Sequence, residues 1–399
     1  MYKEKLLRAS DIANFPFIVA GSGFSGAVFA ERIAGVLKER VLVVEKRSHI
    51  AGNAYDFEQD GIFVQKYGPH IFHTRHKDVW EYASRFTEWL SYKHRVLAYI
   101  KGKFVPLPFN FAGIDAFFGK DDAEKVKRAL IKEFGKGSRV SVLALMRSKN
   151  ETVQKLGAFV YENVFLHYTT KQWGVPPEQV DRSVISRVPV NVSYADTYFT
   201  DPFQGIPKGG FTKVFERMLA SENISLMLNI DFDSLFEADL KKKKIVFKES
   251  RKPFSGFVIY TGQIDRLFQY KFGALNYRSL RFAFETHKEP FYQKVAVVNY
   301  PNDFDFTRIS EFKHFYGIKS GKTIIAKEYP CTLSEGKEPY YPFLDEQNKA
   351  LYERYEVLAS EFPGLILTGR LANFKYLNMD EAIKRARSAF SERFGKSVR

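Results

Sequence analysis

The chain has 399 residues but only one cysteine, Cys331. A single thiol excludes an intramolecular disulfide framework and any zinc site built from several cysteines. No apolar run approaches the roughly 18 residues of a membrane-spanning helix, and residues 1–14 are charged where a signal peptide would be apolar. From these absences we predict a cytoplasmic protein with no membrane insertion.

Acidic residues are also comparatively few. The 46 Asp and Glu residues are outnumbered by 61 Lys and Arg, which gives a formal net charge of +15. The basic run Lys241–Lys244 could suggest a nucleic-acid partner, but it lies between Asp239 and the strand-like Ile245–Phe247, as a hairpin turn would. Because no helix-turn-helix, zinc-finger or RNP-like pattern accompanies it, we predict no nucleic-acid partner. A basic surface also suits a small polyanion such as a nucleotide sugar.

Residues 16–45 predict a strand-helix-strand unit. Phe17–Ala20 reads as a short buried strand and Val41–Val44 as a second one. Between them, the apolar residues of 24–37 recur at helical spacing. A unit of this kind places the helix N-terminus at the carboxyl end of the first strand, where ligands bind in α/β sheets.

The glycines of this unit indicate a dinucleotide. Gly21, Gly23 and Gly26 form G-x-G-x-x-G, in which the first allows a tight turn, the second admits a pyrophosphate and the third lets helix and strand pack closely. Glu45 ends the second strand 19 residues after Gly26, where a carboxylate can accept the hydroxyls of an adenosine ribose and would repel a 2′-phosphate. The pattern alone leaves NAD and FAD open.

In the rest of the chain, hydrophobic periodicity predicts the strands and helices. Val96–Lys101 and Lys103–Leu107 predict a hairpin, and alternation from Leu280 to Tyr329 indicates an antiparallel sheet. We interpret Tyr168–Gly174 as an irregular segment. Helices are predicted at Ile114–Phe118, Asp121–Phe134, Val140–Leu145 and Val153–Phe165.

We therefore predict an α/β protein in which a discontinuous Rossmann-like domain carries an inserted helical domain and an antiparallel β-sheet domain. The predicted boundaries are 1–92, 203–266 and 343–399 for the dinucleotide domain, 109–183 for the helical domain, and 93–108, 184–202 and 267–342 for the sheet domain, which would hold the substrate.

The two histidines of Gly68–Thr74 raise the question of a metal site. His70 and His73 are three residues apart, but no nearby carboxylate or cysteine completes a ligand set. We predict no metal, and a loop that faces a ligand instead.

Over nearly its whole length the chain resembles the bacterial UDP-galactopyranose mutases. The resemblance is carried, in order, by Gly21–Gly26, Gly68–Thr74, Tyr168–Gly174, Tyr194–Phe199, Gly205–Phe211, Asn276–Arg278, Thr307–Glu311, Pro339–Pro342, Gly369–Leu371 and Tyr376–Asp380. The sequences Gly-Pro-His-Ile-Phe-His and Lys-Gln-Trp-Gly are its most specific parts.

The resemblance implies FAD as the cofactor, active in its reduced form. It implies interconversion of UDP-galactopyranose and UDP-galactofuranose without net redox change, by attack of flavin N5 on the anomeric carbon. It further implies that the product supplies galactofuranose for cell-surface polysaccharide, that NAD(P)H or a reductase provides electrons, and that the enzyme is a homodimer. The covalent chemistry then belongs to the cofactor, which fits a sequence without a nucleophile triad.

The resemblance also implies roles for individual residues on the substrate side. Arg187 and Arg308 match two arginines that clamp the diphosphate, and a bidentate guanidinium suits a leaving group that must stay bound. Tyr341, Tyr376 and Tyr198 match residues near the same phosphates. The residues that match the uridine end are Phe165, Tyr168, Trp173 and Asn299.

On the cofactor side, His73 matches a catalytic residue that responds to flavin reduction. The other matching FAD residues are Gly21, Gly23, Phe24, Ser25, Gly26, Glu45, Lys46, Gly52, Asn53, His70, Ile71, Arg278, Gly369, Arg370, Tyr376, Asn378 and Met379. The chain departs from many relatives at His94, which stands in place of an asparagine, and at Asn378, which is aspartate in some relatives.

Two alternative functions stay open at this point. A mutase acting on the 2-acetamido sugar would carry the same motifs. A net FAD-dependent oxidoreductase would share the dinucleotide fold, but Arg187 and Arg308 argue against it because it needs no paired phosphate arginines.

Overall fold

The computed structural model describes residues 9–174, 189–336 and 338–395. The strands up to residue 140 are β1 Phe17–Ala20, β2 Val41–Val44, β3 Asp56–Gln59, β4 Ile62–Gln65, β5 Phe72–Thr74, β6 Trp89–Ser91, β7 Val96–Ile100, β8 Lys103–Leu107 and β9 Arg139–Val140. Those from residue 190 to 260 are β10 Val190–Asn191, β11 Phe203–Pro207, β12 Ile224–Met227, β13 Phe236–Asp239, β14 Lys244–Phe247 and β15 Phe257–Tyr260. The remaining strands are β16 Tyr277–His287, β17 Val297–Asn299, β18 Arg308–Glu311, β19 Thr323–Thr332, β20 Tyr341–Pro342 and β21 Leu365–Leu367.

The helices of the described residues are spread along the whole chain. Those before residue 175 are α1 Ala9–Ile12, α2 Phe24–Arg32, α3 Lys77–Ser84, α4 Phe111–Phe117, α5 Lys120–Phe134, α6 Val142–Met146, α7 Glu151–Val160 and α8 His167–Trp173. Those after residue 188 are α9 Phe211–Met218, α10 Phe232–Leu235, α11 Ile264–Leu267, α12 Lys313–Tyr316, α13 Leu333–Gly336, α14 Glu346–Ser360 and α15 Met379–Phe394. A π-helical turn extends α2 over Ile33–Leu37, and another, Tyr161–Leu166, joins α7 to α8.

A five-stranded parallel sheet in the order β12-β2-β1-β15-β21 holds the glycine motif. Both faces of this sheet are covered, so all four residues of β1 are buried. This is why β1 is a continuous apolar run without alternating polar residues. Phe17 and Val19 pack in the core that includes α2, α9 and α15, whereas Ile18 and Ala20 pack in the core that includes α14. The Rossmann-like α/β architecture that the sequence predicts is therefore confirmed.

A seven-stranded sheet in the order β20-β16-β19-β18-β17-β7-β8 forms the second large layer. Neighbouring strands within this sheet pair antiparallel, except that β17 runs parallel to β7. Apolar residues of this sheet and of helices α4–α7 share one continuous core. The hairpin predicted around Gly102 is confirmed as β7 and β8.

The sequence prediction was wrong at two places in the helical region. Tyr168–Gly174 is not irregular, because α8 runs through it to a glycine in the left-handed conformation. Adjacent threonines weakened its helical signal, but Thr170 returns its hydroxyl to the carbonyl of Leu166 at 2.8 Å. The segment Val140–Leu145 is not helical throughout: Val140 pairs in a short strand, and Ser141 caps the helix that starts at Val142.

Across the described ranges of the chain, no helix combines the length and the apolar character that crossing a membrane would require.

Candidate active site

Two adjoining cavities lie at the edges of the two large sheets. The first, here called the glycine cavity, has a volume of about 260 Å³ and lies at the carboxyl end of β1. The second, the sheet cavity, has a volume of about 430 Å³ and lies against β17–β19. The residues that line both are Asn53, His70, Tyr340, Arg370, Asn378 and Met379. The cavities therefore meet, and one elongated ligand could occupy both.

Most of the predicted site residues lie in these walls. Those in the glycine cavity are Gly21, Gly23, Phe24, Ser25, Gly26, Glu45, Lys46, Gly52, Asn53, His70, Gly369, Arg370, Asn378 and Met379. Those in the sheet cavity also include Ile71, His73, Tyr198, Asn299, Arg308, Tyr341 and Tyr376.

The bottom of the glycine cavity consists of backbone that is packed too closely for a side chain at Gly26 or Gly52. A β-carbon at Gly26 would lie 2.0 Å from the carbonyl oxygen of Gly21. A β-carbon at Gly52, whose φ is +55°, would lie 2.9 Å from the α-carbon of Gly23. The turn into α2 and the loop after β2 are thus packed backbone to backbone. The first residues of α2 line the cavity, and the N-terminus of a helix is suited to bind a pyrophosphate.

Glu45 is held by the glycine loop itself. Its Oε2 accepts from the amide of Ser22 at 2.9 Å and from the Ser22 hydroxyl at 2.7 Å, while Oε1 accepts from the amide of Arg47 at 2.9 Å. The carboxylate therefore braces the turn. A ribose contact, which stays a prediction, would use the remaining lone pairs.

The glycine cavity has an ionic wall, of which sequence reasoning found Lys46 but missed Arg47 and Glu338. Arg47 donates to Asn53 Oδ1 and Glu338 Oε2, both at 3.0 Å, and lies over the ring of Tyr67. Lys46 pairs with the same Glu338 carboxylate at 3.0 Å. The proximity of Arg47 and Lys46 lowers the pKa of Glu338 against the raising effect of burial. Glu338 is remote in sequence, so no local pattern could have found it.

His70 stands where the cavities meet. Its amide donates to Gln65 Oε1 at 2.6 Å, and its Nδ1 lies 2.8 Å from the carbonyl of Gly68. Because a carbonyl can only accept, Nδ1 carries the proton and Nε2 is an acceptor. Burial lowers the pKa of His70 to about 4, and Arg370 and Arg308 add to that effect. The imidazole is therefore neutral near pH 7.

His73 is held by a carboxylate that sequence reasoning also missed. Its Nδ1 lies 2.7 Å from Asp201 Oδ2, and its ring stacks on Phe199 with centroids 3.6 Å apart. His73 lies on β5, and Asp201 lies two residues before β11, the strand that pairs with β5. The two residues are 128 positions apart in the sequence.

Arg308 belongs to a row of polar residues across the seven-stranded sheet. It is directly opposite Asn299 on β17 and Glu328 on β19, so the three side chains share one face. All three line the sheet cavity. An amide, a guanidinium and a carboxylate thus lie side by side in its wall. Glu328, which is 3% exposed, carries no motif that would have singled it out.

The charge of Arg308 is fixed by its neighbours. Its Nη2 donates to the Tyr168 hydroxyl at 2.7 Å, and its Nε lies 3.7 Å from Glu328 Oε2. Burial lowers the pKa of Arg308, but Glu328, Tyr168 and Tyr341 outweigh that effect and raise it well above its ordinary value. The guanidinium is a permanent cation in the cavity wall.

Arg370 lies where the cavities meet, beside two stacked tyrosines of the sheet cavity. The rings of Tyr341 and Tyr376 stack with centroids 5.3 Å apart. Arg370 lies against both rings and donates to the carbonyls of Tyr340 at 3.1 Å and Leu377 at 2.6 Å. Burial raises the pKa of Tyr341, so its hydroxyl is kept protonated as a hydrogen-bond donor.

Other predicted residues are not brought to the cavity walls. Phe165 is buried in the core that the seven-stranded sheet shares with helices α4–α7, and Arg278 packs beside Gly174. Tyr168 does not line the sheet cavity but reaches it through Arg308. Arg187 lies outside the described residues, as does the side chain of Trp173. No group of three His, Cys, Asp or Glu side chains that could hold a metal occurs in the described part of the chain.

Comparison with known proteins adds the family. The family described as UDP-galactopyranose mutase matches residues 163–376, and a NAD(P)-binding Rossmann-like domain matches residues 19–86. A probable UDP-galactopyranose mutase of Klebsiella pneumoniae is 36% identical over 94% of this chain and 93% of its own length. A UDP-galactopyranose mutase of Mycoplasma genitalium is 38% identical over 94% and 93% of the two chains. A dTDP-fucopyranose mutase of Escherichia coli is 33% identical over 92% and 96%.

A solved structure agrees at the level of the fold. The crystal structure of a reduced UDP-galactopyranose mutase superposes with a TM-score of 0.71 over 97% of each chain, at 16% identity. The family match covers more than half of the chain, and the curated relatives are more than 30% identical over nearly all of it. The chain therefore belongs to the UDP-galactopyranose mutase family.

Proposed function

We propose that this enzyme interconverts UDP-galactopyranose and UDP-galactofuranose with the help of a bound, reduced FAD. The observation that carries the proposal is the junction of the two cavities. A glycine-floored dinucleotide site opens there onto a polar wall with a permanent cation, Arg308. A flavin held in the first cavity would present its reactive edge to a sugar held in the second.

The residues of the glycine cavity fit FAD. Glycines at positions 23, 26 and 52 keep side chains away from the start of α2, so a pyrophosphate could approach the backbone there. At the far end, Arg266 donates to Asp231 at 2.8 Å, and both side chains line the cavity near Gln263. These polar groups suit an adenosine. Reduced flavin supplies the nucleophilic N5, and the protein supplies position and charge.

On the substrate side, Arg308 would hold the diphosphate as it leaves the sugar. The stacked Tyr341 and Tyr376 rings line the same cavity as Arg308, and Arg370 lies against both rings. Arg187 is proposed as the second clamp from sequence resemblance alone. Holding the diphosphate keeps UDP beside the sugar for return attack, and permanent positive charge offsets the charge that develops on it.

The wider setting is proposed on the same footing. We propose that the enzyme is a cytoplasmic homodimer that takes electrons from NAD(P)H or a reductase. Its product would supply galactofuranose for cell-surface polysaccharide.

The test is an isomerisation assay on purified protein with bound flavin. UDP-galactofuranose is incubated with the enzyme before and after reduction by dithionite, and the sugar nucleotides are separated by chromatography. We expect conversion to UDP-galactopyranose only after reduction. Equal activity with oxidised flavin would contradict the role of the flavin, and no activity in either state would contradict the function.

The choice of sugar nucleotide is part of the same assay. The Escherichia coli relative is named for dTDP-fucopyranose, and it matches 92% of this chain. UDP-N-acetylgalactosamine is the other close candidate. We expect the highest kcat/KM with the UDP-galactose pair, and a higher value with either alternative would reassign the substrate.

A further inference from the structure

Helix α8 contains a lysine whose ammonium is enclosed by backbone carbonyls. Lys171 Nζ lies 2.9 Å from the carbonyl oxygen of Tyr300, 2.7 Å from that of Asn302, 2.5 Å from that of Phe304 and 3.4 Å from that of Phe306. These four carbonyls alternate along one loop, residues 300–307, which joins β17 to β18. The loop is wrapped around a single cation.

The loop lies between two residues of the sheet cavity. Asn299 is the last residue of β17 and Arg308 is the first residue of β18. Residues 300–307 therefore connect Asn299 directly to Arg308, and these two residues pair with each other across β17 and β18. Within the loop, the amide of Tyr300 donates to the carbonyl of Thr307 at 2.8 Å, which closes it beneath the two cavity residues.

Helix α8 also reaches the guanidinium directly. Tyr168, one helical turn before Lys171, accepts from Arg308 Nη2 at 2.7 Å. Residues three apart lie on the same face of a helix, so this face contacts both the carbonyls of the loop and the side chain of Arg308, the residue that follows the loop. Asn302 adds a third attachment by donating to the carbonyl of Asn163 at 3.2 Å.

We propose that Lys171 is a positioning residue for the diphosphate site: its ammonium organises the 300–307 loop and thereby holds Arg308 in the orientation that binds substrate. The inference rests on the proposed function, because it gives Arg308 its ligand. It also assigns a role to the lysine of the Lys-Gln-Trp-Gly motif, which does not line either cavity. Without the ammonium, the inward carbonyls would lose their donor, and the loop would rearrange to expose them to water.

The direct test compares UDP binding to the flavin-bound parent and to Lys171→Met, which keeps the length of the side chain without its charge. We expect the variant to retain flavin and to bind UDP about tenfold more weakly, as the loss of roughly one well-placed hydrogen bond implies. Lys125→Met is the matched control, since Lys125 is exposed and pairs with Asp122 on its own helix. It should bind UDP like the parent.

A double-mutant cycle separates positioning from a general loss of structure. If Lys171 acts through Arg308, then Lys171→Met should have little further effect on UDP binding in an Arg308→Ala background. Equal effects in both backgrounds would overturn the positioning role.

The remaining outcomes are also decisive. A parent that binds UDP together with a Lys171→Met variant of the same affinity would overturn the role of Lys171 alone. A parent that does not bind UDP would overturn the proposed function and this role with it. Should Lys171→Met lose its flavin, Lys171→Gln is measured instead: its shorter, uncharged amide cannot donate to all four carbonyls, and parental UDP affinity in that variant would overturn the proposal.

Discussion

At the scale of single residues, Glu328 sets the electrostatic balance of the sheet cavity. Its buried carboxylate lies 3.7 Å from Arg308 Nε, so it competes with any diphosphate for the same guanidinium. We expect Glu328→Gln to bind UDP about tenfold more tightly, because removal of a charge within several ångströms of the ligand is worth at least that much. Titration calorimetry with UDP measures the effect.

Two controls isolate the charge effect. Uridine has no phosphate, so its affinity should be the same for Glu328→Gln and the parent. Glu88→Gln removes an exposed acid that pairs with Lys208 away from the cavities, and it should leave UDP binding unchanged. A parallel gain for uridine would mean that the substitution reshapes the cavity instead.

At the scale of elements, the contact between the β1 turn and helix α2 decides whether the proposed dinucleotide site can form. We expect Gly26→Ala to purify with little flavin, because the new methyl group would lie 2.0 Å from the Gly21 carbonyl and would push the helix off the strand. The ratio of flavin absorbance to protein absorbance measures this loss.

Gly35→Ala is the matched control for that substitution. Gly35 lies in the π-helical turn after α2, where an added methyl group would meet only Glu31 Oε1 at an ordinary 3.5 Å. It should keep the parental flavin content. Normal flavin content in Gly26→Ala would contradict the packing argument.

Elements with a local signal could be predicted from the sequence, and contacts between distant elements could not. The buried β1, the glycine turn and the β7–β8 hairpin are each determined by a few neighbouring residues. Helix α8 was missed because its threonines lower the local helical signal, whereas its contacts to Arg308 and to the 300–307 loop stabilise it. Asp201, Glu328 and Glu338 were missed for the same physical reason: their partners are supplied by pairing between strands or loops far apart in the chain.

At the scale of the whole molecule, the buried neutral histidines of the site make the free energy of unfolding depend on pH. Burial lowers the pKa of His94 from its ordinary 6.5 to about 3, and Arg308 and His73 add to that effect. Below pH 6.5 the unfolded chain takes up a proton that the folded protein does not, so stability falls as the pH falls toward 3. At pH 5 we expect a loss of about 2 kcal/mol in the free energy of unfolding from this residue.

Urea unfolding at pH 7.5 and pH 5 measures the loss. In His94→Gln the difference between the two pH values should shrink by about that amount, because glutamine does not titrate. His314→Gln serves as a comparison at a histidine that contacts Glu311 outside the cavities. An unchanged pH difference in His94→Gln would show that other groups cause the acid sensitivity.

The strand order of the parallel sheet has a consequence for how the enzyme is made. Strands β1 and β2 come from the first 44 residues, whereas β15 and β21, which complete one side of the sheet, end at residues 260 and 367. The walls of the glycine cavity are drawn from the same dispersed segments, including Gly369 and Arg370. A nascent chain therefore displays its glycine turn on the ribosome long before it has a pocket to go with it. The proposed dinucleotide could therefore bind only after translation has passed these last segments.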